Sequence, residues 1–303
     1  NKGDELEQEV VNGELILRVG SANRILSVPV PGSPFWGSAI STAIRDFKAD
    51  LVIVRDIPLA GLAVKAGRKC GVPVVLDMAE HYPEAMRSWK KYSENFILRK
   101  IVHDWKIPDR IEASVMKGID GVLVVCEEQR ERLIAEYGYP HEKICLVLNS
   151  ADIDKWRSFP KGTKREKPFC FGYHGILCED RQLDVVLRGF DLAAEKEKDI
   201  TLLFAGGGES EQKLREIRET LKHKDRIEFT GRFTPEQLPG LYERTDFGIV
   251  SLLVNKFTEH TVANKFFDYA CIGKPFIHTD LAPLNRIGDQ MNCGVRFKGG
   301  SPE

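Results

Sequence analysis

The chain has 303 residues, of which 42% are hydrophobic and 29% charged, and a formal net charge of −1. That length allows about two domains of ~150 residues. The composition is that of a globular protein, and the near-zero charge excludes a global electrostatic case for nucleic acid. No apolar run approaches the ~20 residues of a membrane-spanning helix, and no signal peptide is visible in the opening NKGDELEQEV, so a cytoplasmic location is expected. Seven cysteines are scattered without a C-x-x-C pair or ligand spacing, which predicts reduced thiols and no zinc.

Taken in order, GELILRVG and RILSVPVPG read as two short strands joined at Ser21-Ala22-Asn23, and residues 38–48 as a helix. LVIVRD (51–56) is a continuous apolar run, as expected of a strand buried on both faces. A helix at about 58–70, a strand VVLD (74–77), a long segment, GVLVV (121–125), a helix closed by Gly138 and KICLVLN (143–149) follow. Residues 151–168 turn polar and basic with Pro and Gly, which marks a linker. Its Asp152-Ile153-Asp154 triplet reads as the start of that linker, not as a metal site.

The alternation then repeats: FCFGYHG (169–175), a helix at about 181–196, ITLLFAGGG (200–208), a helix, RIEFTG (226–231), FGIVSLLV (247–254), FIHT (276–279) and GVRF (294–297). Thr234-Pro235-Glu236-Gln237 has the form of a capped helix start. Strands alternating with helices predict an α/β protein of two tandem Rossmann-like, doubly wound domains. The expected bounds are 1–150, a linker over 151–168, and 169–303. Ligands of such sheets bind at the carboxyl ends of the strands, often between domains.

Several stretches carry candidate chemistry. In FTEHTVANKFFDYACIGKPFIHTD (257–280), Thr261 reads as a helix cap, and Asn264, Lys265 and Asp268 stand in the first turns. Free N–H groups and the helix dipole suit a phosphate there, with a carboxylate one turn deeper for a sugar hydroxyl; a solvated amphipathic face explains the same residues equally well. Gly175 lets a ligand approach the backbone, and Arg181 can reach a diphosphate or pair locally with Glu179 or Asp184. Gly206-Gly207-Gly208 does not fit a dinucleotide fingerprint and reads as a turn bordering a ligand. In LDMAEHYPE (76–84), Glu80 and His81 at a strand end are candidates for acid–base work, and Arg55-Asp56 end the preceding strand. Residues 86–110 carry seven Lys or Arg against three Asp or Glu, interleaved with Trp89, Tyr92, Phe96 and Trp105. One amphipathic helix of that kind suits an anionic membrane surface, or packs as a long connecting helix.

The order of these parts resembles glycosyltransferase family 4, retaining enzymes of the GT-B fold that use nucleotide sugars. The resemblance runs over nearly the whole chain. It is carried by VPVVLDMAEHYPE, by GVLVVCEEQRERLIAEYGYPHEKICLVLNSADIDKW, by RIEFTGRFTPEQLPGLYERTDFGIVS and above all by NKFFDYACIGKPFI. It implies two domains facing a cleft, Asp268 on the donor ribose, and the backbone of Val262, Ala263 and Asn264 at donor phosphate and sugar. It also implies Arg181 on the diphosphate, Gly231-Arg232-Phe233 beside the base, and no metal or other cofactor.

The sequence departs from the pattern in places. His260 stands eight residues before Asp268, where many members keep a Glu, with Glu259 beside it. Ala79 precedes Glu80 where members keep a His, with His81 extra, and Ile176 replaces a second basic residue for which Lys265 can substitute. The implied site is thus Glu80, His81 and His260 for catalysis. Gly175, Arg181, Gly206, Arg232, Glu259, Val262, Ala263, Asn264, Lys265 and Asp268 bind the donor, and Arg55 and Asp56 lie on the acceptor side.

Set against the family pattern, the chain reads as trimmed at both ends, with reduced activity expected. The function implied is transfer of a sugar from a nucleoside diphosphate sugar to a glycan or lipid-linked acceptor in surface polysaccharide assembly. The alternatives are a non-catalytic nucleotide-sugar binder and a sugar-nucleotide epimerase of the same fold.

Overall fold

The structure, a computed structural model, describes residues 8–19, 30–160 and 168–302. The chain divides into two compact units, Asn1–Val147 and Leu148–Glu303.

The first unit opens with a hairpin of β1 (Gln8–Val11) and β2 (Glu14–Leu17). Asn12 and Gly13 join them with φ of 52° and 84°, the left-handed pair of a turn whose twist matches its strands. The sequence pattern pairs GELILRVG with the stretch after it; the structure pairs it with the QEVV before it. Ser21-Ala22-Asn23 and residues 24–29 lie outside the described residues.

A parallel sheet follows in the order β3 (Val52–Arg55), β4 (Val74–Met78), β5 (Gly121–Val124) and β6 (Ile144–Leu146). Right-handed crossovers between successive neighbours put their helices on one face, and burial alternates accordingly. Val54, Leu76, Met78, Val122, Val124 and Ile144 are buried, whereas Ile53 is 58% exposed and Cys145 is exposed. The expectation that LVIVRD is buried on both faces is therefore corrected. Its two-sided composition is real, but strand order decides which faces helices cover.

Residues 82–104 are also not one amphipathic helix. They form short helices Tyr82–Ser88, Lys90–Glu94 and Phe96–Arg99, then a turn of π-helix Lys100–Asp104. Trp89 and Asn95 are extended and break the run. Asn95 caps the third helix by accepting from Ile97 N and Leu98 N.

The second unit holds six parallel strands: β7 (Phe169–His174), β8 (Ile200–Ala205), β9 (Ile227–Gly231), β10 (Phe247–Val250), β11 (Phe276–Thr279) and β12 (Val295–Phe297). Their order is β12-β11-β10-β7-β8-β9. Counted from β7, the chain winds outward to β9, returns to the other side of β7 and winds outward again. This is the doubly wound topology whose switch point, here between β7 and β10, is the usual ligand crevice. The core packs Tyr173, Leu183, Leu187, Phe204 and Leu214 on one side, and Phe266, Tyr269 and Phe276 are also buried.

Within the stretch that reads as a linker, Trp156 and Phe159 are buried, and Trp156 packs on Tyr242; residues 161–167 lie outside the described residues. Asp152 caps the helix Ile153–Trp156 through Lys155 N, and Asp154 pairs with Arg157. The D-x-D triplet thus has a local structural role.

Candidate functional site

The switch point of the six-stranded sheet is built by glycines. Gly175, just past β7, and Gly206, just past β8, have φ of 140° and 145°, conformations open to glycine and not to other residues. A Cβ on Gly206 would lie 1.7 Å from Gly175 O. The strand ends are stitched together, with Gly175 N donating to Ala205 O and Gly206 N to Gly231 O. The result is a floor of bare backbone.

Two cations stand at this floor. A Cβ on Gly175 would meet Lys265 Cε and Nζ at 2.6 Å, and Lys265 Nζ lies 5.2 Å from the centre of the Tyr173 ring. Arg181 is near enough to act on Lys265 and Tyr173 electrostatically. Among the described residues the local pairing open to Arg181 in the sequence is not made: Glu179 pairs with Lys213 instead, and Arg181 Nε is buried without a hydrogen-bond partner. Burial, and then the Arg181 charge, pull the Lys265 ammonium down to about 8.

The helix Asn264–Cys271 begins at the same place. Its cap residue is Ala263, not Thr261, and no side chain caps it. The N–H groups of Asn264 and Lys265 therefore have no acceptor among the described residues. A helix start with no side-chain cap, beside two cations that form no ion pair among the described residues, suits an anion. Asn149 Nδ2 donates to Val262 O at 2.9 Å and fixes the loop that leads in.

Asp268, one turn along, is half-buried. Its Oδ2 accepts from Tyr242 at 3.2 Å, the Trp156 side chain also bonds it, and burial raises its carboxyl. An ionised carboxylate has about four acceptor sites, so room for a hydroxyl partner remains. Below it, Tyr269 donates to Gly172 O, and its hydroxyl lies 2.8 Å from His174 Nδ1; Thr245 Oγ1 lies 3.2 Å from Nε2. Burial, with the Lys265 and Lys274 charges adding to it, keeps the imidazole neutral, pulled down to about 3. The network is a footing for the helix.

Arg232 lies over Gly207, whose Cβ would meet it at 2.6 Å, and is exposed. Glu259 is exposed, and His260 Nδ1 donates to Lys256 O at 2.6 Å, which fixes its tautomer. The structure thus brings Gly175, Gly206, Arg181, Arg232, Lys265 and the start of the Asn264 helix together. Asn149, Trp156, Tyr173 and Tyr242 are the supporting residues that the sequence did not single out.

In the first unit, the carboxyl ends of β3 and β4 gather a second polar group. Arg55 Nη1 donates to Asp77 Oδ2 at 2.5 Å, and Arg55 Nε lies 3.8 Å from Asp56 Oδ2. Asp56 sits at φ 56°, and its Oδ1 is buried with no hydrogen-bond partner among the described residues. Burial raises the Asp56 carboxyl and pushes Tyr82 up to about 12, with Asp56 and Glu80 adding to the latter. Glu80 is half-buried here, whereas His81 is 7% exposed and turned inward.

His81 lies within 4.8 Å of Glu112 and Glu136. Arg132 Nη1 already holds both carboxylates, at 2.6 and 2.8 Å, and Tyr137 donates to Glu112. The cation this cluster calls for is the guanidinium itself.

Comparison with known proteins agrees with these topologies. Residues 12–150 match the glycosyl transferase 4-like domain, and residues 168–303 match glycosyl transferases group 1. The chain carries the two domains of a GT-B glycosyltransferase. Mannosylfructose-phosphate synthase of Agrobacterium fabrum is 25% identical over 192 residues, which are 56% of this chain and 42% of that protein. The match therefore spans less than half the length of that curated relative.

Among solved structures, HepE of Anabaena in complex with UDP superposes with a TM-score of 0.67 at 14% identity, covering 89% of this chain and 70% of that one. The lipopolysaccharide outer core galactosyltransferase WaaB gives 0.59 at 15% identity, with 88% and 67% covered. A glycosyltransferase from Rickettsia africae gives 0.66 at 14% identity, with 95% and 71% covered. At these identities the likeness establishes the shared fold.

Proposed function

We propose that the second unit holds a nucleoside diphosphate sugar, and that the sugar passes with retention to a glycan or lipid-linked acceptor served by the first unit. The carrying observation is the pair Arg181 and Lys265, unneutralised at the switch point beside an uncapped helix start. Arg181 and Lys265 take the diphosphate, with the N–H groups of Asn264 and Lys265. Lys265 supplies the charge that Ile176 does not. Asp268 takes the ribose, Gly231 and Arg232 border the base, and Glu259 and His260 face the sugar. Cations and helix dipole stabilise the departing diphosphate as its charge grows, and no metal is assigned to the step. Arg55, Asp56 and Glu80 form the acceptor side, with His81 beneath them.

Support comes from the matched domains and from relatives whose names specify sugar transfer or whose structures contain UDP or UDP-glucose. A thermal-shift panel of UDP, GDP, ADP and CMP tests it. A nucleotide at ~100 times its dissociation constant adds about 2.7 kcal/mol of stability. No shift with any of the four would refute the donor site, and Arg181→Ala should abolish a shift without unfolding the protein.

One observation favours a second reading. His81 is buried in the Arg132 network, which leaves Glu80 and Asp56 as the acid–base groups at the β3 and β4 ends. A nucleotide-sugar binder without turnover would show the thermal shift yet release no nucleoside diphosphate when acceptors are supplied.

A further inference from the structure

The segment between β4 and the helix Ile107–Met116 presents apolar side chains to solvent on a well-made local framework. Phe96 is 69% exposed and Ile97 66% exposed, adjacent in the first turn of a helix whose cap bonds are both formed. Behind them the aromatic residues are tied down: Trp89 packs edge-on against Tyr82 and stacks on Tyr92. Exposure of Phe96 and Ile97 is thus set by the fold and not by fraying of a loose segment.

Cations outnumber carboxylates in residues 86–110 by seven to three, with exposed Asp104 on the same helical turn as Lys100. Lys100 Nζ lies 4.5 Å from the Phe96 ring centre, and Arg99 is one helical turn from Phe96. Lys91 lies over Trp89 and Tyr92. Among the described residues, Lys91, Arg99 and Lys100 form no ion pair, whereas Glu94 is held by Lys90, and Asp109 by Arg87. Residues 86–110 carry 7 − 3 = +4 in a chain of −1, so the remaining residues carry −1 − 4 = −5. The segment is thus locally basic in a chain of near-zero net charge, which favours a negative surface. No described helix is long and apolar enough to cross a membrane.

We propose that this tip seats the protein on an anionic lipid surface. Phe96 and Ile97 enter the headgroup layer, and Lys91, Arg99 and Lys100 meet lipid phosphates. An apolar pair ringed by unpaired cations matches a surface that is apolar within and anionic at its face, with both attractions acting together. The proposal does not depend on the donor-site reading.

Flotation of the whole chain with vesicles tests it, using phosphatidylcholine alone or with about one-third phosphatidylglycerol. Binding is expected to the anionic vesicles only, and to weaken between about 0.1 M and about 0.5 M salt. The double variant Phe96→Ser/Ile97→Ser should bind roughly tenfold more weakly. Arg99→Gln and Lys100→Gln should each cost about fivefold. All these side chains are at the surface, so the variants should keep the wild-type melting temperature and any nucleotide response.

Failure of the wild type to float with anionic vesicles overturns the proposal. So does wild-type binding by the Phe96/Ile97 variant, which would leave a purely electrostatic attraction to any polyanion. Concentration-dependent dimerisation that the same variant abolishes, without vesicle binding, would assign the tip to a second copy of the chain.

Discussion

Lys265 gives the sharpest test, because its charge is held against two opposing influences. Burial and Arg181 bring its ammonium from the ordinary 10.5 to about 8. A bound diphosphate restores the charged form, so binding takes up protons. At pH 8 about half a proton should enter per nucleotide bound. At pH 9 only about one free molecule in ten still carries the charge, so UDP should bind roughly tenfold more weakly than at pH 7, about 1.4 kcal/mol. An ordinary lysine would give no change over that range. Lys265→Arg, whose guanidinium stays charged, should flatten the profile. Lys265→Met should weaken binding at pH 7 while stabilising the empty protein, since an unfavourably buried charge is gone. Titration calorimetry at pH 7, 8 and 9 in two buffers of different ionisation heat measures both affinity and proton uptake. Ionisation of the base itself acts alike in both proteins. A wild-type affinity that is flat from pH 7 to 9, or falls equally in Lys265→Arg, would refute the reasoning.

The other predictions concern stability. His174 is held neutral at about 3 in the folded protein, below its unfolded value of 6.5. Its contribution is therefore complete above pH 6.5 and is lost as pH falls toward 3. Urea unfolding at pH 6.5 and 4.5 should differ by up to about 2.7 kcal/mol through this residue, a difference that His174→Gln should remove. Gly206→Ala forces a side chain onto Gly175 O at 1.7 Å, so a loss of about 3 kcal/mol and of nucleotide binding is expected by thermal melting. Arg132→Met leaves the fully buried Glu112 without its cation, which should cost about 3–5 kcal/mol in urea unfolding, while Arg132→Met with Glu112→Gln should recover much of it.

Much of the fold could be read from the sequence because parallel strands leave a strong local signature. FCFGYH and ITLLFA are strands wherever they stand, and both appear where the pattern puts them. The errors came from features that no local pattern encodes. LVIVRD has the composition of a strand covered on both faces, but coverage follows from strand order, and β3 to β6 run in sequence. The Asn12-Gly13 turn was legible in the dipeptide itself, as was Asn95 as a cap; both were overridden by longer patterns on either side. At the candidate site, the Asn264–Cys271 helix and Gly175 were visible as motifs. The approach of Lys265 to Gly175 was not, because it depends on the loop after β10 returning across β7. Equally hidden was the footing of His174, Tyr269 and Tyr242, whose members come from three separate elements.

The proposed donor site is organised by unmet demands. Arg181 Nε is buried with no hydrogen-bond partner among the described residues, Lys265 is repelled by Arg181, and the helix beginning at Asn264 has no side-chain cap. Each lowers the stability of the empty protein, and a single dianion at the switch point would satisfy all three at once. The surroundings must resist the alternative, in which the cations swing out to solvent. The His174 and Tyr269 hydrogen bonds hold the helix that carries Lys265, the Tyr242 and Trp156 bonds hold Asp268 on the same helix, and Asn149 holds the loop before it. Loosening that footing should therefore weaken nucleotide binding without touching the nucleotide. Tyr242→Phe removes one hydrogen bond to Asp268, and should lower UDP affinity by about 1 kcal/mol with a comparable loss in melting stability. A loss of stability alone, with unchanged affinity at a temperature well below melting, would show that the cations are positioned by their own helix and need no support from the sheet.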